Sequence, residues 1–221
     1  MKRFIPLVNG EVYHILSRSI AEYEIFNDQE DYLRFINLLV YYHKEGDLSY
    51  SYFMTLEGVV KNGFDNYFAK MTGDRDELVQ VVAYCIMPTH VHLILKQLTS
   101  NGISDFIGKV LNSYSKYFNT KHKRKGPLWE ERFKNILVIT DEQLLHLTRY
   151  LHLNPATALI VEKPEDWPYS SYCEYLGIGQ GIGLCKYQDI LNINPKSYRK
   201  FVNDRISYQR ELAKIKALII D

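Results

Sequence analysis

The 221-residue chain is poor in cysteine, with Cys85, Cys173 and Cys185 alone. An odd count without a CxxC spacing supports neither a disulfide framework nor a cysteine-rich zinc module, and it points to a reducing, cytoplasmic setting. No apolar run approaches the roughly 18 residues that a membrane span needs, so no membrane partner is expected. The N-terminus holds Lys2 and Arg3 but only a short apolar stretch broken by Pro6, which makes no secretory leader. Internal repeats and low-complexity tracts are missing too. What is there, 46% hydrophobic and 24% charged residues, is the balance of a folded globular protein.

Net charge is only +1 but unevenly spread. Lys109, Lys116, Lys121, Lys123, Arg124, Lys125, Arg132 and Lys134 face only Glu130 and Glu131 in their segment, which carries +6 and leaves −5 for the rest. A basic stripe on a near-neutral protein suggests a polyanion docked in one place. For the compact cluster from Lys121 to Lys125, a solvated loop accounts for the charge equally well.

The periodicity orders the chain. Glu11 to Arg18 alternates with period two and predicts a first strand. After Asn27-Asp28, apolar residues at Tyr32, Leu33, Phe35, Ile36, Leu39 and Val40 predict a helix ended by Gly46-Asp47. Residues 48–77 have a mixed aromatic pattern and read as an insertion. Leu78 to Met87 and His90 to Leu95 predict two strands joined by a tight turn at Pro88-Thr89. Ser104 reads as the cap of a helix with Phe106, Ile107, Val110, Leu111, Tyr114, Tyr117 and Phe118 inward. Phe133 to Ile139 predicts another strand. Thr140, with Gln143 at the capping-box position, opens a helix expected to stop at Asn154-Pro155. A glycine-rich hinge at 177–183 and two or three short helices within 186–220 complete the chain. The β-α-β-β-α-β order is that of a ferredoxin-like α+β fold, an antiparallel sheet with helices packed on one face.

His90 and His92 are two apart on a strand, so both imidazoles leave one face while Val91 and Leu93 leave the other. Two adjacent imidazoles suit a divalent cation, though a half-buried His-x-His is more often structural. Tyr150 and Asn154 lie one helical turn apart on one face, which would project a hydroxyl and a carboxamide together. With 18 tyrosines in the chain, an arbitrary one is usually a packing residue.

The segments Tyr13 to Arg18, Tyr84 to Leu93, Gly126 to Lys134, Arg149 to Pro155 and Asp166 to Tyr172 occur in order. Together they resemble the single-tyrosine HUH transposases, most closely the REP-associated tyrosine transposases, over about residues 10 to 172. That resemblance implies cutting and rejoining of single-stranded DNA beside hairpins through a 5′-phosphotyrosine. It makes Tyr150 the nucleophile, His90, His92 and Asn154 the metal ligands, and Mg²⁺ or Mn²⁺ the working ion. Residues 1–172 are then the catalytic domain and 173–221 a helical extension. Lys121, Lys123, Arg124, Lys125, Trp129, Arg132 and Lys134 are the DNA-binding candidates. Trp129 offers a base-stacking surface, with a core anchor beside Leu128 the weightier alternative. His14 and Arg18 are placed near the site, but packing or a surface ion pair explains them equally well. His152 is given no catalytic role. A monomer is favoured over a homodimer. The competing functions are a non-catalytic hairpin-binding regulator and a zinc hydrolase, which would need a further His or carboxylate ligand.

Overall fold

A computed structural model of the chain describes residues 6–73, 75–179 and 183–211. Four strands, β1 (Val12–Arg18), β2 (Val79–Met87), β3 (His90–Gln97) and β4 (Lys134–Val138), form one sheet in the order β2-β3-β1-β4. Every neighbouring pair is antiparallel. This is the ferredoxin-like order. Each crossover, through α1 (Gln29–Tyr42) or α5 (Gly102–Lys121), skips one antiparallel strand.

The side-chain alternation of β1 and β3 gives the sheet two different faces. Tyr13, Ile15, Val91, Leu93 and Leu95 are buried on one, towards the paired helices α1 and α5. His14, Leu16, Arg18, His90 and His92 share the other, because Leu16 lies opposite His92 and Arg18 opposite His90.

α1 starts as expected, with the Asp28 carboxylate accepting the Asp31 N–H at 3.0 Å. It ends at Tyr42, ahead of Gly46. Residues 48–77 fold into α2 (Tyr50–Phe53), α3 (Glu57–Asn62) and α4 (Phe64–Thr72). Tyr41 gathers Phe53 and Phe68 at ring distances of 4.9 and 5.6 Å, which ties these short helices to the end of α1.

Ser104 is not the cap of α5. The helix begins at Gly102 after Asn101, which adopts a left-handed conformation with φ 62°. The reason is a close approach that the periodicity does not register. A Cβ on Gly102 would lie 2.2 Å from the Leu78 carbonyl oxygen, so only glycine lets the helix start against β2.

The helix α6 (Asp141–Thr157) opens as expected, with Thr140 Oγ1 accepting the Gln143 N–H at 3.1 Å. The Gln143 side chain returns the bond to Ile139, one residue before the cap. Pro155 does not stop this helix, which runs to Thr157. Close to the C-terminal end, a proline forfeits one hydrogen bond without breaking a long interior. Asn154 therefore sits inside ordered helix.

Beyond α6 the chain returns to the free edge of β2. Tyr169 O accepts from Ile86 N at 3.0 Å, Ser171 N donates to Tyr84 O at 3.0 Å, and the Trp167 indole donates to Ile86 O at 3.0 Å. The edge is thus covered rather than open. Helices α7 (Tyr172–Leu176) and α8 (Pro195–Asn203) follow, and Tyr198 and Val202 join the same hydrophobic core as the sheet. Part of the expected glycine-rich hinge, 180–182, and the last stretch of the expected helices, 212–221, lie outside the described residues.

Candidate active site

The site is assembled on the His face of the sheet. His90 and His92 present neighbouring imidazoles with ring centroids 5.0 Å apart. Their Nδ1 atoms are both engaged within the protein. Thr89 Oγ1 lies 2.9 Å from His90 Nδ1, and His14 Nε2 lies 2.9 Å from His92 Nδ1. Each ring is therefore fixed in orientation and keeps Nε2 for a ligand, the arrangement by which outer partners set ligating histidines.

Burial decides the charge state of these rings. It lowers His14 to about 4. It also lowers His90 to about 4, with the nearby Arg18 charge adding to the effect. His92 is held well below its ordinary value, by burial first and then by the charges of His90, His14 and Arg18. At neutral pH all three are neutral, as lone-pair donation to a cation requires.

α6 carries the remaining members. The Tyr150 ring stands edge-on to His92 at 5.7 Å and to His14 at 6.5 Å, and the residue is 46% exposed. The phenol is thus open to solvent beside the imidazoles, unlike most tyrosines of this chain. Asn154 follows one turn later, and its Nδ2 is buried without a hydrogen-bond partner. That atom is an N–H donor, so a hydrogen-bond acceptor rather than a cation would complete it. Among the described residues no three His, Cys, Asp or Glu side chains converge as a metal site. The Asn154 carboxamide oxygen is a lone-pair donor of another type, one helical turn from Tyr150 on α6.

A second network sets the height of α6. His152 Nε2 lies 2.9 Å from Ser171 Oγ and its Nδ1 lies 2.7 Å from the Tyr198 hydroxyl. Ser171 Oγ in turn accepts from Tyr84 N at 3.0 Å. His152 is fully buried, and burial lowers it to about 3. It touches neither Tyr150 nor the histidine pair. It locks the helix that carries Tyr150 to the edge of β2.

The basic segment divides. Lys121 is spent inside the protein, where its ammonium meets Asp28 and the fully buried Asp31 at 2.8 Å each and Glu30 at 3.3 Å. Arg124 braces its own loop through Asn119 Oδ1 at 3.0 Å and Pro127 O at 2.8 Å. Trp129 donates to Ser115 Oγ at 3.1 Å and packs near Phe35 and Tyr114. The polar atoms of these three, DNA-binding candidates from the sequence, already have partners on α1, α5 or their own loop. Lys123, Lys125, Arg132 and Lys134 are exposed. Lys134 lies opposite Leu16, which lies opposite His92, so it belongs to the His face.

Two residues of this face had no role assigned from sequence, His14 and Arg18. The alternation of β1 puts them on one face. Only the cross-strand register brings them to His92 and His90.

A solvent-exposed tyrosine beside a fixed histidine pair on a ferredoxin-like sheet is the setting in which comparison with known proteins finds a match. Residues 40–154 match the family described as "Transposase IS200 like", and the chain belongs to that family. The matched span ends at Asn154 and contains His90, His92 and Tyr150. Within that class the chain is similar to a REP-associated tyrosine transposase of Haemophilus influenzae, 31% identical over 104 residues, which are 42% of this chain and 58% of the relative. The chain thus spans little more than half the length of that relative. The fold is shared with a REP-associated tyrosine transposase solved bound to a REP hairpin, with a TM-score of 0.51, 16% identity, and coverage of 85% of this chain and 90% of that one.

Proposed function

We propose that the protein is a metal-dependent single-strand DNA endonuclease and strand transferase that acts beside hairpins through a 5′-phosphotyrosine on Tyr150. One observation carries this reading: the exposed Tyr150 ring stands 5.7 Å from His92, whose partner-fixed imidazole keeps its outward nitrogen.

His90, His92 and Asn154 would hold the cation, Mg²⁺ or Mn²⁺. When bound, it supplies Lewis acidity to a non-bridging oxygen of the scissile phosphate. Tyr150 attacks phosphorus, so that a Tyr–O–P bond forms and the P–O3′ bond breaks. The phenolic proton passes to solvent and the departing 3′-oxygen takes a proton from water. Because the tyrosine ester keeps the energy of the diester, an incoming 3′-hydroxyl can reverse the step and rejoin DNA without a nucleotide cofactor. α6, clamped through His152, holds the phenol in place, which is the positioning part of the rate enhancement.

Lys134 on the His face and exposed Lys123 and Lys125 support a backbone-tracking role for the remaining basic residues. A flexible single strand reaches such a site at less bending cost than a duplex. The hairpin-bound relative supports hairpin-bearing DNA as the partner. Tyr150 and the His pair meet within one chain, which supports action as a monomer. The free cysteines fit a cytoplasmic location.

The test is incubation with a library of hairpin-bearing single-stranded oligonucleotides and Mn²⁺, followed by denaturing electrophoresis and sequencing of whatever DNA remains attached. A denaturant-stable adduct enriched for one hairpin class is expected. Tight hairpin binding without any adduct would overturn the reading in favour of a non-catalytic regulator.

A further inference from the structure

Arg18 ends β1 as an exposed cation on the His face, directly opposite His90. Among the described residues no ion pair or side-chain hydrogen bond engages its guanidinium. Its own backbone is pinned, since Glu130 N donates to Arg18 O at 3.0 Å. The neighbouring imidazoles supply no countercharge, so the guanidinium is available to an anion bound at this face.

The order of groups along the face says which anion. The Tyr150 ring sits at the end occupied by His14 and His92. Arg18 lies four residues further along β1 from His14, about 14 Å at the rise of an antiparallel strand. His92 falls between them, and His90 lies level with Arg18. Nucleophile and leaving group of a phosphoryl transfer occupy opposite sides of phosphorus, so the side facing away from Tyr150 is the side of Arg18. Beyond it opens a cavity of about 340 Å³ lined by Leu16, Ser17, Arg18, Glu130, Arg132 and Lys134, among others. That is a size for one nucleotide, with cations for its phosphate and carboxylates for the amino edge of its base.

We propose that Arg18 is a catalytic residue that stabilises the 3′-oxygen leaving the scissile phosphate, and that the adjoining cavity seats the nucleotide bearing that oxygen. This rests on the transferase reading above. As the P–O3′ bond breaks, negative charge gathers on O3′, and a fixed guanidinium there binds the transition state better than the neutral ester. The proton that finally caps O3′ comes from water, since arginine keeps its own. In the rejoining direction the same contact orients the attacking 3′-hydroxyl.

The test uses the full chain with Mn²⁺ and two otherwise identical hairpin oligonucleotides, one with the natural 3′-oxygen at the cleaved bond and one with 3′-sulfur. A thiolate departs without help from a cation. Arg18→Gln is expected to slow single-turnover adduct formation on the oxygen substrate by about 10²- to 10³-fold, the loss typical of one such donor. On the sulfur substrate it should stay within a few-fold of wild type, with DNA affinity little changed, and Arg18→Lys should recover part of the oxygen rate. Wild-type rates from Arg18→Gln on oxygen, or equal slowing on both substrates, would overturn the assignment while leaving the transferase intact. Absence of any adduct from the wild-type protein on both substrates would overturn the transferase reading and this assignment with it. Melting curves of both variants confirm folding, which an exposed, unpartnered side chain should not affect.

Discussion

His14 and His92, 78 residues apart in the chain, share a 2.9 Å contact between Nε2 and Nδ1, with their rings stacked at 5.2 Å. His14 lies opposite Ile94, one step diagonal to His92, so the contact is a product of the β1–β3 register. When His92 offers its Nε2 lone pair outward, its Nδ1–H donates to His14. The first strand thereby orients the His92 ring carried by the third.

Replacing His14 with phenylalanine keeps a ring for the stack and removes the acceptor. Mn²⁺ affinity, measured by titration calorimetry without DNA, is expected to fall about 10- to 100-fold, the usual cost of losing such an outer partner. An unchanged affinity would show that His14 only packs.

Much of this site is legible in the sequence, because its signals are local. The His90-x-His92 alternation, the Thr140 cap and the one-turn spacing of Tyr150 and Asn154 each depend on a single element. What escapes depends on how elements meet. Strand register cannot be read from β1 alone, so His14 and Arg18 can be put near the site but not paired with His92 and His90. The Gly102 contact with Leu78 moves a helix start that Ser104 seemed to mark. Lys121 looks like a phosphate contact until α1 brings Asp31 to it. The serines of 169–172 carry no sign in sequence that one of them holds His152.

The His152 clamp predicts a pH dependence of stability. Its folded value of about 3 lies below an unfolded value near 6.5, so at intermediate pH the unfolded chain binds a proton that the folded one refuses. Its contribution is whole above pH 6.5 and is lost as pH falls towards 3. Between pH 7 and pH 5 His152 alone should cost about 2 kcal/mol. Urea midpoints of wild type and His152→Gln at both pH values check this. The variant should lose less on acidification. Parallel losses would contradict the assignment.

Reassigning part of the basic segment is also testable. Lys121→Ala strips the buried Asp31 carboxylate of its countercharge and should destabilise the fold by about 2 kcal/mol. Trp129→Ala should destabilise by about 2 to 3 kcal/mol, below the cost of a fully buried tryptophan because the ring is half-buried. For both, urea melts should report the loss. Hairpin affinity, measured by fluorescence anisotropy well below the melting transition, should change less than for Lys134→Ala. Large affinity losses without destabilisation would restore them as DNA contacts.

The most direct measurement is peptide mapping of the covalent product. After reaction with a hairpin oligonucleotide and Mn²⁺, nuclease trimming and tryptic digestion should leave a nucleotide joined through its 5′-phosphate to the peptide containing Tyr150, and Tyr150→Phe should give no adduct while still binding the hairpin. An adduct on another tyrosine, or one undiminished in Tyr150→Phe, would contradict the account.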